Sequence, residues 1–125
     1  MNFPSNLRYT KEHEWIKMDG NVATIGITDY AQRELGDIVY VEVETVGKSL
    51  KAGEIFGTVE AVKTVSDLFL PVDGMITELN AALANSPESV NSDPYGEGWM
   101  IKMTVSNPAD VEALMDATTY DAQVA

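Results

Sequence analysis

The sequence predicts a mainly β protein, a β-sandwich or barrel-like fold with a few short helices at its edges. Three observations predict it. Short strand-like apolar runs recur along the chain, among them "EWIKMD", "DIVYVEVE" and "EIFGTVEAV". Turn residues such as Asp19-Gly20 and Asp73-Gly74 break them up at regular spacing. Helical signals are confined to short stretches. With 125 residues, the chain is expected to form one domain, 1–125, large enough for a core without disulfide staples.

The first element is a hairpin in "HEWIKMDGNVATIGI", turned at Asp19-Gly20 between β-branched and aromatic residues. "ITDYAQRELGD" then predicts a short helix. Thr28 or Asp29 caps it, Ala31 and Leu35 share a face, and Gly36 ends it. In "DIVYVEVE" the pattern alternates, which places Ile38, Tyr40, Glu42 and Glu44 on one face of a half-buried strand and Val39, Val41 and Val43 on the other. After the turn in "VGKSLKAG", strands are expected from about 54 to 61 and from about 65 to 70, the second stopped by Pro71 and Asp73-Gly74. "MITELNAAL" predicts another strand running into a loop or short helix around 86–91, and "GWMIKMTV" a further strand. "SNPADVEALMD" carries the strongest helix signal, with Ser106 or Asn107 as cap, Pro108 in the first turn and an apolar stripe of Val111, Leu114 and Met115. The tail "TTYDAQVA" is expected to fray. A faint echo between "GKSLKAG" and "PESVNSD", each aliphatic at its fourth position, would suit a sandwich of two similar halves.

Composition excludes several chemistries. There is no cysteine, hence no disulfide, thiolate nucleophile or cysteine–zinc site, and a single histidine rules out a multi-histidine metal centre within one chain. The net charge of −12 is uneven: residues 1–62 carry six cations against ten acids, and residues 63–125 two against ten. Such a surface repels nucleic acid and anionic membranes and favours partners with basic faces. No apolar run approaches the roughly 18 residues of a membrane-spanning helix, and "MNFPSNLRYTKEHEW" has neither signal-peptide nor transit-peptide layout. The expectation is a cytoplasmic protein, or a mature chain of the mitochondrial matrix if the source is eukaryotic.

One stretch remains to be explained. "GTVEAVKTVSDLFLPVDG" places Lys63 at the midpoint of an apolar run, and Lys63 is the only Lys or Arg between Lys51 and Lys102, an interval with eight acids. With Ala61-Val62-Lys63-Thr64 as a tight turn, the flanking strands would pair Glu60 with Val65, Val59 with Ser66 and Gly57 with Leu68. Lys63 would then stand in solvent at the tip of a rigid hairpin, with small neighbours leaving room for a modifying enzyme. A swinging cofactor arm needs such a fixed origin. The bland reading, a solvated lysine at a hairpin end, is weakened by the symmetric strands, by Glu60 three residues earlier and by glycines at both ends.

In these residues the chain resembles the glycine cleavage system H-protein family of lipoyl carriers. "KEHEW", "VATIGITDYAQRELGDIV", "GTVEAVKTVSDLFLPVDG" and "NSDPYGEGWMIKM" carry the resemblance, in that order and over nearly the whole chain. It implies a hybrid β-sandwich (barrel-sandwich hybrid) with a lipoyl-lysine hairpin. Lys63 would hold lipoic acid as an amide. The protein would be no enzyme but a shuttle that takes an aminomethyl group from a pyridoxal-phosphate glycine decarboxylase to an aminomethyltransferase. Dihydrolipoamide dehydrogenase would reoxidise it and lipoylating enzymes would load it, with a monomer as the expected state. In the family the loaded arm folds into a cleft that shields the aminomethyl group from water. The resemblance puts Glu14 near its amine, with Asp67 as a second candidate; a carboxylate there can pair with an ammonium in a partly dry cleft. Other members often have serine where this chain has Glu12, which would make the rim here more acidic.

Rival readings fit less well. Biotin carriers usually place methionine on both sides of the lysine, and 2-oxoacid dehydrogenase lipoyl domains usually place Asp before it; here the neighbours are Val62 and Thr64. An unmodified β-sandwich interaction module remains the alternative from another class. "HEW" lacks the second histidine of a zinc protease motif. "SDL" superficially matches a phosphopantetheine site, but Ser66 precedes Asp67 and lies in a strand-forming run. "DPYGEGW" lacks the helix and lysine of a phosphate loop and reads as turn chemistry, with Trp99 packing into the core.

Overall fold

The computed structural model describes all residues, 1–125. Nine strands form two antiparallel sheets. One has six strands in the order β1-β2-β3-β9-β8-β5, and the other three in the order β4-β6-β7. The strands are β1 (Arg8–Tyr9), β2 (Glu14–Asp19), β3 (Val22–Ile27), β4 (Ile38–Glu42), β5 (Ser49–Leu50), β6 (Ile55–Ala61), β7 (Val65–Phe69), β8 (Gly74–Leu79) and β9 (Ile101–Val105). Helices are short: α1 (Asp29–Leu35), α2 (Ser89–Ser92), α3 (Ala109–Glu112) and α4 (Ala117–Val124), with a 3-10 turn at Ala81–Ala84. The expected β-sandwich-type architecture is what the chain adopts.

The main core lies between the sheets. Ile16, Ile25, Ile76 and Met103 from the larger sheet meet Ile38, Phe56, Val59 and Leu68 from the smaller, all buried. A second, smaller cluster of Leu7, Tyr9, Trp15 and Tyr120 sits on the other side of β2. Alternation along β2 explains both: Glu14, Ile16 and Met18 share the face toward the main core, while Trp15 points the opposite way, and both faces are covered. Trp15 lies across from Gly26 on β3, and a Cβ there would stand 2.8 Å from the indole. Only glycine lets the ring lie flat on the strand.

The first hairpin forms as expected but turns one residue later. Asp19 still pairs with Val22, so the two loop residues are Gly20, with φ 64°, and Asn21. α1 also forms as expected: the Thr28 side chain accepts from the Ala31 amide, and Gly36, with φ 81°, closes the C-terminus.

Strict alternation fails in β4. The register jumps between Ile38 and Tyr40, whose partners are the adjacent Ala61 and Glu60. The extra residue, Val39, bulges out and is 45% exposed, so Ile38 turns inward to join the side of Val41 and Val43. α3 is a single turn, without a side-chain bond from Pro108 as its cap, though the Asn107 side chain accepts from the Ala109 amide. Val111 is buried, but Met115 leaves the helical path to bridge Tyr9 through two backbone hydrogen bonds of 2.8 and 3.1 Å. A strand-like bridge to β1 satisfies backbone groups that a longer helix would have kept for itself.

The tail does not fray. Asp116 caps α4 by accepting from the Thr119 amide at 2.8 Å, and Tyr120 is fully buried. Trp99 is only half-buried, against the smaller cluster, with Lys102 Nζ 5.1 Å from its ring centre. The echoed segments have different structures, for Leu50 lies in a strand and Val90 in a helix. The likeness between them is accidental.

Candidate functional site

The Lys63 hairpin has the register that the sequence predicts. Glu60 pairs with Val65, Val59 with Ser66 and Gly57 with Leu68, and the Ala61 amide donates to the Thr64 carbonyl at 2.7 Å to close the loop. The tip is fastened from the side as well: the Val62 amide donates to the Asp37 carbonyl at 3.0 Å, just before β4. Lys63 itself is exposed, with its Cε 3.6 Å from where a Cβ on Gly36 would be, so its stem passes over the end of α1. β6 is the central strand of its sheet, and Gly57 on it passes so close to β4 that a Cβ would overlap the Glu42 carbonyl.

Beside this hairpin lies a cleft of about 280 Å³, walled by β7 on one side and by α1 and the start of β2 on the other. Ile27, Leu35, Val59 and Leu68 give it an apolar floor. Its charged groups are all acidic: Glu12, Glu14, Glu34 and Asp67, with no Lys or Arg among the lining residues. The structure therefore brings Glu14 and Asp67 into one cavity from two separate strands.

The two carboxylates differ in setting. Asp67 is exposed on β7. Glu14 is only 1% exposed, because strand alternation turns it to the same face as Ile16. Its Oε1 accepts from the Thr10 hydroxyl at 2.6 Å and its Oε2 from the Phe69 amide at 3.3 Å. Burial pushes its carboxyl up to about 7, and those two hydrogen bonds hold it back from rising further. Glu14 is thus poised near neutrality, without a cation to pair with. A larger groove of about 690 Å³ opens on its other flank, lined by Phe69, Leu70 and Pro71, farther along the chain from the hairpin tip; it lacks Asp67 and every residue of α1.

His13, which the sequence offers only as a discarded zinc ligand, is a wall of the cleft. Its φ of 74° places it in the left-handed region. Its Nδ1 lies 2.7 Å from the Tyr120 hydroxyl, which is also 2.8 Å from the Thr28 hydroxyl. Burial lowers its basicity, opposed by Glu12 and Glu34. Tyr30, with its ring centre 4.8 Å from that of His13, lines the cleft too.

A family model for the glycine cleavage H-protein matches residues 7–125. The chain belongs to the glycine cleavage H-protein family. It is 61% identical over 124 residues to a glycine cleavage system H protein of Bacteroides fragilis, covering 99% of this chain and 98% of the relative. To one from Chlorobium phaeovibrioides it is 62% identical over 122 residues, covering 96% and 95%. The crystal structure of a glycine cleavage system H protein from Mycobacterium marinum superposes with a TM-score of 0.88 at 38% identity, over 98% of both chains. The H-protein match thus takes in the hairpin, both sides of the cleft and α4. Within this H-protein fold, Tyr120 and Tyr30 were not legible as site residues. Their only sequence signal is aromatic character in stretches otherwise polar and small, and nothing in the spacing ties residue 120 to residue 13.

Proposed function

We propose that this chain is a lipoyl carrier of glycine cleavage, with lipoic acid joined as an amide to the Lys63 amine. Membership of the H-protein family, together with an exposed lysine at the tip of a fully paired hairpin, carries the reading. The cleft suits the group: an aliphatic arm has apolar residues to lie against, and a cation at its end has four carboxylates to meet. When attached, the group supplies a dithiol–disulfide couple that accepts and hands on the aminomethyl unit.

The chain's own residues do the rest. The paired strands of β6 and β7 fix the arm's origin. Ile27, Leu35, Val59 and Leu68 exclude water along its length. Glu14 and Asp67 receive the ammonium, and Glu14 is suited to it because ionising a buried carboxylate becomes favourable when a cation arrives beside it. No side chain here is asked to act as nucleophile or general acid, which fits a carrier rather than an enzyme.

The partners under this reading are a pyridoxal-phosphate glycine decarboxylase, an aminomethyltransferase, dihydrolipoamide dehydrogenase and a lipoylating enzyme. The net charge of −12 favours basic docking faces on each. The working unit is one domain, 1–125, as a cytoplasmic monomer. No helix is long and apolar enough to cross a membrane.

Intact mass and peptide mapping test the reading, on protein expressed with lipoic acid and a competent lipoylating enzyme. A lipoyl-sized adduct confined to the peptide holding Lys63 supports it. A biotin-sized adduct moves the protein to carboxylase chemistry, and an unmodified Lys63 leaves an interaction module.

A further inference from the structure

The wall of the cleft formed by the start of β2 and by α1 is braced from behind by a buried hydroxyl. Tyr120 lies on α4, in the tail. Its ring is fixed by stacking on Tyr9 at 4.8 Å and by the edge of Phe3 at 5.0 Å. Its oxygen then meets His13 Nδ1 and Thr28 Oγ1 at 2.7 and 2.8 Å. These partners are neighbours on one wall of the cleft, the one that faces β7. His13 immediately precedes Glu14, and Thr28 is the N-cap of the helix that supplies Tyr30, Ala31, Glu34 and Leu35. The Thr28 amide also donates to the His13 carbonyl at 3.1 Å, so the junction is braced by backbone and side chain alike. A histidine with positive φ keeps that conformation only where its surroundings over-determine it, and here Thr10 and Thr28 hold its backbone while the Tyr120 hydroxyl meets its ring.

We propose that Tyr120 is a positioning residue for the arm cleft: through His13 and Thr28 its hydroxyl fixes the wall made by the start of β2 and α1, which faces β7, so the C-terminal helix controls how well a loaded arm is kept from water. This rests on the carrier reading. Exposure of the arm would show as hydrolysis, in which water breaks the C–S bond of the aminomethyl thioether, the sulfur leaves as thiol, the carbon as formaldehyde and the nitrogen as ammonium.

The test uses the full chain with Tyr120→Phe, which keeps the ring and removes only the oxygen. Loaded protein without partner enzymes is expected to release formaldehyde about three- to tenfold faster than the parent. Unloaded protein supplies a second readout: His13 is the only histidine, so its ring nitrogen resonances are unambiguous, and Tyr120→Phe should shift Nδ1. Asp116→Ala serves as control, since it removes the α4 cap and lowers the melting temperature while leaving the hydroxyl in place. It should leave both readouts at the parent's values. Parent-like release from Tyr120→Phe overturns the proposal, as does equal release from Asp116→Ala. Failure of the carrier reading looks different: Lys63 of the parent would then take no lipoyl adduct and no loaded protein would form, whatever the state of Tyr120.

Discussion

Glu14 and Asp67 line one cleft from strands in different sheets, and only one of them is in contact with solvent. Asp67 stands on β7, in the same paired hairpin that carries Lys63; Glu14 is enclosed at the end of β2, with both oxygens already accepting hydrogen bonds. The pair is thus asymmetric, with one exposed carboxyl group at the mouth and one buried group, raised by its burial, inside.

Glu14 makes stability fall with rising pH. Its carboxyl stands at about 7 in the folded chain against 4.5 for the free group. A raised value means that the folded state binds the extra proton. The contribution is therefore fully present below about pH 4.5 and lost as pH climbs through about 7. Between those limits the parent should lose roughly 2–3 kcal/mol relative to Glu14→Gln, from one side chain. Urea unfolding of both proteins at a series of pH values measures it, and parallel curves would remove Glu14 as the titrating group.

Lys63→Arg keeps the positive charge at an exposed tip but offers no acylable amine. Glycine-dependent release of carbon dioxide in the reconstituted system should fall to background. The melting temperature should stay within about three degrees of the parent, because substitutions at exposed sites typically change stability by less than about 0.5 kcal/mol. Retained turnover would show that the carrier function lies elsewhere.

Gly57→Ala tests the close approach of β6 and β4. The added methyl has a backbone carbonyl in its way, that of Glu42, and no flexible side-chain end to push aside. A destabilisation of about 1–3 kcal/mol is expected, with weakened amide protection in β4, which hydrogen exchange reads directly.

Tyr120→Ala separates a packed tail from a frayed one. The ring is fully buried between Tyr9 and Phe3, so its loss should cost about 3–5 kcal/mol, as for other large aromatic deletions. A change under about 0.5 kcal/mol in denaturant unfolding would mean that α4 is not docked in solution.

How much of this was legible depended on the range of the interaction. The Lys63 hairpin is local: its register follows from a tight turn and the period of two, and three pairings read from the sequence are present as read. The helix over Asp29–Leu35 was equally local, with Thr28 and Gly36 marking its ends. β4 was misread where a bulge at Val39 broke the period, since one extra residue reverses every side chain beyond it. α3 and the tail were misread because distant partners decide them. Met115 is drawn to Tyr9, and Tyr120 to His13 and Thr28, across more than ninety residues in each case. Glu14 and Asp67 came from family resemblance. What the sequence did not hold was the burial of one and the exposure of the other.

The hydrogen bond from Val62 to the Asp37 carbonyl has a consequence for kinetics. A hairpin tied only along its own ladder would sway, and anything joined to the Lys63 amine would search a volume set by both the sway and the tether. With the tip clamped to the segment before β4, the pivot is stationary and the tether's length alone defines the reachable hemisphere. The tether's end is then confined at an effective concentration of the order of millimolar with respect to any site within reach. Under the carrier reading, orientation at the docking face would then matter more to delivery than the search by the tethered end.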